Sequence, residues 1–188
     1  MTHIAIFCSG SGSNAEKIME YFQHHDSIKV SLLLANKPDA YALKRAEKYG
    51  VPTVVVTKDS YRTESELLSI LKKHEVDWII LAGFLLLIPD FLVKNFPDKI
   101  INIHPALLPS YGGKGMYGMN VHNAVAEAKE RKSGMTIHFV NEHYDEGKII
   151  FQASCELSET DSPEDIAHKV LALEHQHFAR VIEETIVK

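Results

Sequence analysis

The segment from Lys99 to Pro109 reads KIINIHPALLP, and it holds the features that decide both the fold and the place of a site. Its first residues form a short apolar run of the kind that ends a buried strand. Pro105 cannot donate a hydrogen bond to a sheet, so the strand should end at or just before it. Asn102 and His104 alternate with Ile103, so both side chains should lie on the same face. The segment predicts a strand with a polar pair at its carboxyl end, where open α/β sheets bind ligands.

The order of the predicted elements indicates the fold class. Strand-like and helix-like segments alternate along the chain, which implies parallel strands joined by crossovers. We predict a doubly wound α/β fold, with a mostly parallel twisted sheet and helices on both faces. The last two strands lack an intervening helix and should form an antiparallel pair at one edge. The predicted strands are His3–Cys8, Lys29–Ala35, Thr53–Val56, Trp78–Ala82, Ile100–His104, Thr136–Val140 and Ile149–Cys155. The predicted helices are Asn14–His24, Tyr41–Tyr49, Thr63–His74, Asp90–Asn95, Asn120–Lys129 and Pro163–Ile186, with Gly50 as a cap and Ser162 before the last helix.

The bulk properties restrict the class of protein. The chain has 188 residues, which fits one domain over residues 1–188, and 45% of them are hydrophobic. The net charge of −5 gives a nucleic-acid partner no electrostatic attraction, and no run approaches the ~18 apolar residues of a membrane helix. The start of the chain leads straight into a strand without a signal peptide. With only Cys8 and Cys155, we expect a reduced cytoplasmic protein rather than a disulfide framework.

A glycine-rich loop, SGSGSN from Ser9 to Asn14, separates the first predicted strand from the first predicted helix. Glycines allow close approach of the backbone to a ligand, and a helix N-terminus offers free N–H groups to a phosphate. The dinucleotide fingerprint would need glycine at Ala15, and a P-loop would need Gly-Lys followed by Ser or Thr. From these residues alone, a phosphate-binding loop and an ordinary tight turn with serine caps are equally good interpretations.

Three further groups carry possible chemistry. A carboxylate in the loop between the last two strands could pair with His104, raise the pKa of its ring and hold it in place, but the residues do not choose among Glu142, Asp145 and Glu146. Glu174 interrupts the apolar stripe of the last helix, so it either binds a ligand or extends outward at the margin of the stripe. His175 and His177 have the wrong spacing for two metal ligands on one helix face, and we predict no metal site.

Four motifs together resemble the folate-dependent formyltransferases over nearly all of the chain. They are SGSGSN, LAGF, NIHPALLPSY and IHFVNEHYDEG. The resemblance implies a Rossmann-like formyltransferase fold. It also implies transfer of the formyl group of 10-formyltetrahydrofolate to the amine of 5'-phosphoribosylglycinamide, in de novo purine synthesis. Tetrahydrofolate would be the second product, no metal would be required, and the protein would be a monomer or a homodimer.

The resemblance also implies roles for single residues. Asn102 would donate to the oxyanion, cationic His104 would act as general acid, and Asp145, chosen by the match of DEG to the family's D-x-G, would keep His104 protonated. The expected substrate-binding residues are Gly12, Ser13 and Asn14 for the phosphate, with Glu174 for the ribose. The expected folate-binding residues are Leu85, Leu86, Leu87, Ile88, Asn102, Val140, Asn141 and Asp145.

The chain departs from the family pattern at a few positions. Ala106 stands where serine is usual, and Leu86 where many relatives have arginine. Ser60 stands where an arginine often binds the folate glutamate tail, so Arg62 or Lys58 could take over that role. Two alternatives stay open: another formyl-transferring or formyl-hydrolysing enzyme, which would usually carry a second domain, and a non-catalytic α/β module that binds a phosphate ligand.

Overall fold

A computed structural model gives the structure of the chain and describes residues 1–187. Strands and helices alternate along most of it, as predicted. The strands are β1 (Thr2–Cys8), β2 (Ile28–Ala35), β3 (Thr53–Val55), β4 (Trp78–Leu81), β5 (Ile100–His104), β6 (Lys132–Phe139) and β7 (Ile149–Glu156). The helices are α1 (Ser13–Phe22), α2 (Tyr41–Lys48), α3 (Lys58–Arg62), α4 (Glu64–Lys73), α5 (Asp90–Asn95), α6 (Met119–Glu127) and α7 (Pro163–Ile186). The chain forms two compact units, the first ending at Ile101 and the second beginning at Asn102.

The first unit contains a parallel sheet with strand order β3-β2-β1-β4, continued by the first residues of β5. β1 pairs in parallel with β2 on one side and with β4 on the other. The strand order therefore reverses direction at β1, which makes the carboxyl ends of β1 and β4 the topological switch point. This is the place in an open α/β sheet where a crevice for ligands forms.

The second unit contains the end of β5, followed by β6 and β7 in that order. β6 and β7 are antiparallel, with Lys132 opposite Glu156 and Ile137 opposite Phe151. The predicted fold class is confirmed: the sheet is mostly parallel, its last two strands are antiparallel, and helices flank it.

Two predicted helix ends have the expected geometry. Gly50 follows α2 with φ of 64°, a left-handed conformation that glycine adopts without steric cost. Ser162 caps α7, because its hydroxyl accepts the N–H of Asp165 while the Asp165 carboxylate accepts the N–H of Ser162. These local signals were readable because capping depends on residues close together in sequence.

The structure corrects two predicted elements. β6 begins at Lys132 rather than at Thr136, and Gly134 lies inside it, where a Cβ atom would be 2.1 Å from the carbonyl oxygen of Ala153. The glycine allows the close approach of β7. The short helix α3 was missed, since it has five residues of which only Tyr61 is buried, too few for a periodic apolar pattern. It is held by a capping box between Thr57 and Ser60.

The core of the first unit consists of the central strands and the helix faces that cover them. Ile4 to Cys8 of β1 and Leu32 to Ala35 of β2 are fully buried. Burial raises the pKa of the Cys8 thiol to about 12. Among the residues that the structure describes, no helix combines the length and the apolar character needed to cross a bilayer.

Candidate active site

His104 lies at the end of β5 and is almost completely buried, with 3% of its surface exposed. Its Nε2 atom is 2.8 Å from the carbonyl oxygen of Tyr111. A carbonyl can only accept, so Nε2 carries a proton and donates it. The other ring nitrogen, Nδ1, is 3.6 Å from Oδ2 of Asp145. The ring is thus held between a fixed acceptor and a carboxylate.

Asp145 is positioned by the loop between β6 and β7 and has φ of 56°. Its Oδ2 accepts the backbone N–H of Gly113 at 3.0 Å, and its Oδ1 is 3.6 Å from Nε2 of His138. Gly147, two residues further on, packs against β6 so closely that a Cβ atom there would be 1.6 Å from the carbonyl oxygen of Phe139. The glycine of the D-x-G motif therefore allows the loop to return onto the strand with Asp145 facing the two histidines.

Asn102 joins the same cluster through His138. The amide nitrogen of Asn102 is 3.1 Å from Nε2 of His138, and Nδ1 of His138 is 2.8 Å from the carbonyl oxygen of Phe139. Nδ1 donates to that carbonyl, and in the tautomer that carries its proton there Nε2 accepts a hydrogen bond from the Asn102 amide. His138 thus fixes the orientation of the Asn102 amide.

The electrostatics of the cluster overturn one expectation. Burial lowers the pKa of His104 by more than the charge of Asp145 and the hydrogen bond to Tyr111 raise it, so the pKa is below its ordinary value. The expected raised pKa is wrong, because the depth of His104 could not be read from the sequence. Burial alone would raise the pKa of Asp145, but the nearby His138 and His104 rings and the Gly113 N–H outweigh it, and the pKa is lowered. At neutral pH the cluster thus holds an ionised carboxylate beside a neutral His104.

A buried polar network fixes the turn that follows His104. The Thr136 hydroxyl, fully buried on β6, donates to the carbonyl oxygen of Ala106 at 2.7 Å and accepts the N–H of Leu108 at 3.0 Å. The Gln152 amide donates to the Thr136 hydroxyl and to the carbonyl oxygen of Leu108. Ala106 contributes its backbone here and is 1% exposed, so the absent serine hydroxyl is not needed for this network.

In the first unit, the glycine-rich loop follows β1 and is joined to the segment that follows β4. The N–H of Ser9 donates to the carbonyl oxygen of Gly83 at 3.0 Å, and the Ser9 hydroxyl accepts the N–H of Leu85 at 2.9 Å. Gly12 has φ of 72° and precedes α1, which begins at Ser13. The two segments expected to bind substrate phosphate and folate thus meet at the topological switch point of this unit.

The segment after β4 presents apolar side chains to the outside. Leu85 is 46% and Leu87 50% exposed, Leu86 is half-buried, and Ile88 is buried. Exposed leucines next to a ligand-binding crevice form an apolar surface that a flat aromatic ligand could cover. The Ser60 hydroxyl is engaged in the capping box with Thr57, where it accepts the backbone N–H of Thr57. Lys58 and Arg62 are exposed cations in α3.

The remaining predicted residues lie in the second unit. Glu174 is 7% exposed on α7, which excludes the interpretation that it extends outward into solvent. Val140 and Asn141 are half-buried at the start of the loop that carries Asp145, and the Asn141 side chain accepts the N–H of His143. The Tyr111 carbonyl was missed as a partner of His104, because backbone groups leave no signal in a sequence.

A parallel α/β sheet with a buried histidine, a carboxylate and an amide around one strand end is typical of enzymes that transfer a proton during reaction of a bound ligand. Among the residues that the structure describes, no group of histidine, cysteine and carboxylate side chains could hold a metal ion. The chain belongs to the formyl transferase family, whose model matches residues 2–182.

The similar proteins agree with this family. The chain is 45% identical over 185 residues to chloroplastic phosphoribosylglycinamide formyltransferase of Arabidopsis thaliana, with 95% of this chain and 63% of that protein covered. It is 36% identical to phosphoribosylglycinamide formyltransferase of Bacillus subtilis, and the match covers 99% of this chain and 95% of that protein. The crystal structure of phosphoribosylglycinamide formyltransferase from Bacillus halodurans is similar, with a TM-score of 0.90 and 31% sequence identity. The match covers 100% of this chain and 96% of that one. The chain spans less than two thirds of the length of its plant relatives.

Proposed function

We propose that this chain transfers the formyl group of 10-formyltetrahydrofolate to the amine of 5'-phosphoribosylglycinamide, a step of purine synthesis. Family membership and the similarity to phosphoribosylglycinamide formyltransferases support the proposal. The observation that carries it is the arrangement around β5, where Asp145 faces Nδ1 of His104 and His138 orients the amide of Asn102.

The reaction requires charge stabilisation and one net proton transfer. The substrate amine attacks the formyl carbon, whose oxygen becomes an oxyanion, and the bond from that carbon to the folate nitrogen then breaks. The amine loses one proton and the folate nitrogen gains one. Asn102 donates an amide N–H to the oxyanion, and the Nε2–H of His104 is the second donor, provided that the ligand takes the place of the Tyr111 carbonyl.

The lowered pKa of His104 defines its part in the cycle. Because burial disfavours the charged form, the ring is neutral at neutral pH before substrate binds. An oxyanion next to Nε2 and the ionised Asp145 next to Nδ1 both favour the cation, so the ring takes up the proton that the amine loses and passes one to the folate nitrogen. Asp145 therefore holds the ring and stabilises its transient charge. No covalent intermediate is required.

The other residues bind substrate in this proposal. Gly12, Ser13 and Asn14 bind the phosphate through backbone N–H groups and side chains at the start of α1. Glu174, which is 7% exposed on α7, accepts hydrogen bonds from ribose hydroxyls. Leu85 to Ile88 pack against the pterin ring, and Val140 and Asn141 contribute backbone groups beside Asp145. Lys58 or Arg62 binds the folate glutamate tail.

The test is a formyl-transfer assay on the purified chain with both substrates, in which release of tetrahydrofolate is measured with and without glycinamide ribonucleotide. Tetrahydrofolate release that requires the ribonucleotide supports the proposal. Release of formate without the ribonucleotide would indicate a hydrolase. Binding of the ribonucleotide without turnover would indicate the non-catalytic module.

The site assignment is tested by replacing His104. His104→Ala should lower kcat by about 100-fold or more, the usual scale for loss of an acid–base group, with little change in substrate affinity. His168→Ala, which removes an exposed histidine from α7, is the matched control and should keep full activity. Normal turnover in a folded His104→Ala protein would refute the role of His104.

We also propose that the protein acts in the cytoplasm as a monomer or homodimer, with residues 1–188 as one formyltransferase domain and without nucleic-acid or membrane partners. The net charge of −5, which gives a polyanion no electrostatic attraction, supports the absence of a nucleic-acid partner. Light scattering of the purified protein gives its oligomeric state, and a mass above that of a dimer would contradict the proposal.

A further inference from the structure

The glycine-rich loop is tied to α2 by two consecutive carbonyl groups. The carbonyl oxygen of Gly10 accepts the backbone N–H of Ala42 at 3.2 Å. The carbonyl oxygen of Ser11 accepts the Nε–H of Arg45 at 2.9 Å. Gly12 packs against the same helix, since a Cβ atom at this glycine would be 2.4 Å from the Cβ atom of Ala42. The loop is therefore held to α2 along three residues.

These contacts determine where the loop N–H groups point. In a planar trans peptide the carbonyl and the N–H point in opposite directions. Because the carbonyls of Gly10 and Ser11 face α2, the N–H groups of Ser11 and Gly12, which belong to the same two peptides, face away from α2. Consecutive N–H groups on one side of a turn form a concavity that binds anions. Ala42 and Arg45 thus impose the peptide orientation that a phosphate site needs.

Arg45 is itself held in a fixed position. Its Nη1 atom pairs with the carboxylate of Glu16 on α1, and its guanidinium lies 5.0 Å from the centre of the Tyr41 ring. Its side chain is 21% exposed, so the hydrogen bond from Nε to Ser11 is partly shielded from water. Lys48 pairs with the same Glu16 carboxylate at 3.2 Å, but its side chain is 59% exposed. Arg45 thus connects both helices to the loop, whereas Lys48 contributes only charge.

We propose that Arg45 is a positioning residue for phosphate recognition, which fixes the Ser11–Gly12 peptide so that its N–H faces the phosphate of the substrate. This inference rests on the proposed function, in which Gly12, Ser13 and Asn14 bind that phosphate. The guanidinium acts through direction as well as charge, since the Nε–H that reaches Ser11 has no equivalent in lysine.

The experiment compares Arg45→Lys, Arg45→Met and the control Lys48→Met with the unmodified chain. Each protein is assayed with glycinamide ribonucleotide and with the same compound lacking its phosphate, and the Kd for folate is measured separately. Both Arg45 variants should raise the KM for the phosphorylated substrate by about 10- to 100-fold, as expected for loss of a hydrogen bond to a charged group. The kcat, the kcat/KM for the substrate without phosphate and the folate Kd should stay near their original values. Lys48→Met should change none of them.

Several outcomes would overturn the inference. An unchanged KM in Arg45→Lys would show that charge alone suffices. An equal loss of kcat/KM for both substrates would show that Arg45 supports the fold of this unit rather than the phosphate site. If the unmodified chain fails to bind glycinamide ribonucleotide at all, the proposed function fails instead, and its folate and ribonucleotide affinities distinguish that result from failure of the Arg45 assignment.

Discussion

Gly147→Ala offers a sharp test of how the D-x-G motif positions its carboxylate. The added Cβ atom would be 1.6 Å from the carbonyl oxygen of Phe139 and 2.7 Å from its carbonyl carbon. Contacts of a Cβ atom below 3.0 Å essentially do not occur, so the loop must move by more than an ångström. The strand cannot move instead, because the N–H of Phe139 is bonded to the carbonyl of Lys148 and β6 is paired with β7.

The displaced loop carries Asp145, whose contacts with His104 and His138 are both 3.6 Å and allow little tolerance. A misplacement of about 1 Å near a reacting centre can cost about 100-fold in rate, and we expect a loss of kcat on that scale. The overpacking should also lower the free energy of unfolding by about 1–3 kcal/mol. Steady-state kinetics and urea denaturation measure the two effects separately.

Two further variants of this chain provide the control and the result that would refute the prediction. Glu146→Ala changes an exposed residue of the same loop and should leave both quantities unaffected. In an Asp145→Asn background, Gly147→Ala should lower kcat little further, because the group that it displaces has already lost its charge. A folded Gly147→Ala protein with normal kcat, or an equal loss in both backgrounds, would refute the reasoning.

Three other predictions concern the cluster and its surroundings. Asp145→Asn removes a charge that raises the pKa of His104 while burial still lowers it, so the His104 pKa should fall further, as a histidine ring titration by NMR would show. Glu174→Gln should weaken binding of glycinamide ribonucleotide by about 10-fold, on the scale of a hydrogen bond to a charged group, and leave the folate Kd unchanged in calorimetry. Thr136→Val should leave the N–H of Leu108 without its partner and lower the free energy of unfolding by about 1–3 kcal/mol in urea denaturation.

Glu146→Gln is the control for the titration, because this exposed carboxylate is screened by solvent and should leave the His104 pKa unchanged. A rise of that pKa in Asp145→Asn would contradict the assigned contact. Equal weakening of both ligands by Glu174→Gln would point to damage in α7. Unchanged stability of Thr136→Val would show that the buried network does not hold the turn after His104.

The predictable part of the site was the part encoded by neighbours in sequence. Pro105 ended β5 as expected, and the alternation of residues correctly placed Asn102 and His104 at the strand end. The choice of Asp145 required the family pattern, because Glu142 and Glu146 had the same chemistry and the loop geometry was unknown. The structure shows why that position differs: only there does a left-handed residue sit between β6 and a glycine that allows the loop to fold back.

The features that sequence reasoning missed depend on contacts between distant residues. The direction of the His104 pKa follows from its burial, which outweighs the opposing effects of Asp145 and the Tyr111 carbonyl, and a residue pattern does not record burial. The strand was predicted to begin only at Thr136, whereas Gly134 lies inside it, where the approach of Ala153 from β7 requires a residue without a Cβ atom. The role of Arg45 likewise arises from a contact between a helix residue and a loop 34 positions earlier in the chain.

The burial of Cys8 has a practical consequence for spectroscopy. Its thiol, with a pKa of about 12, stays protonated at neutral pH and reacts slowly with maleimides and oxidants. Cys155 is half-buried, and burial raises its pKa as well. A cysteine introduced at the exposed Lys114 would therefore be labelled selectively without removal of the native thiols. A fluorophore at that position would report directly on rearrangement of segment 110–118. In this segment the Tyr111 carbonyl accepts the hydrogen bond from Nε2 of His104.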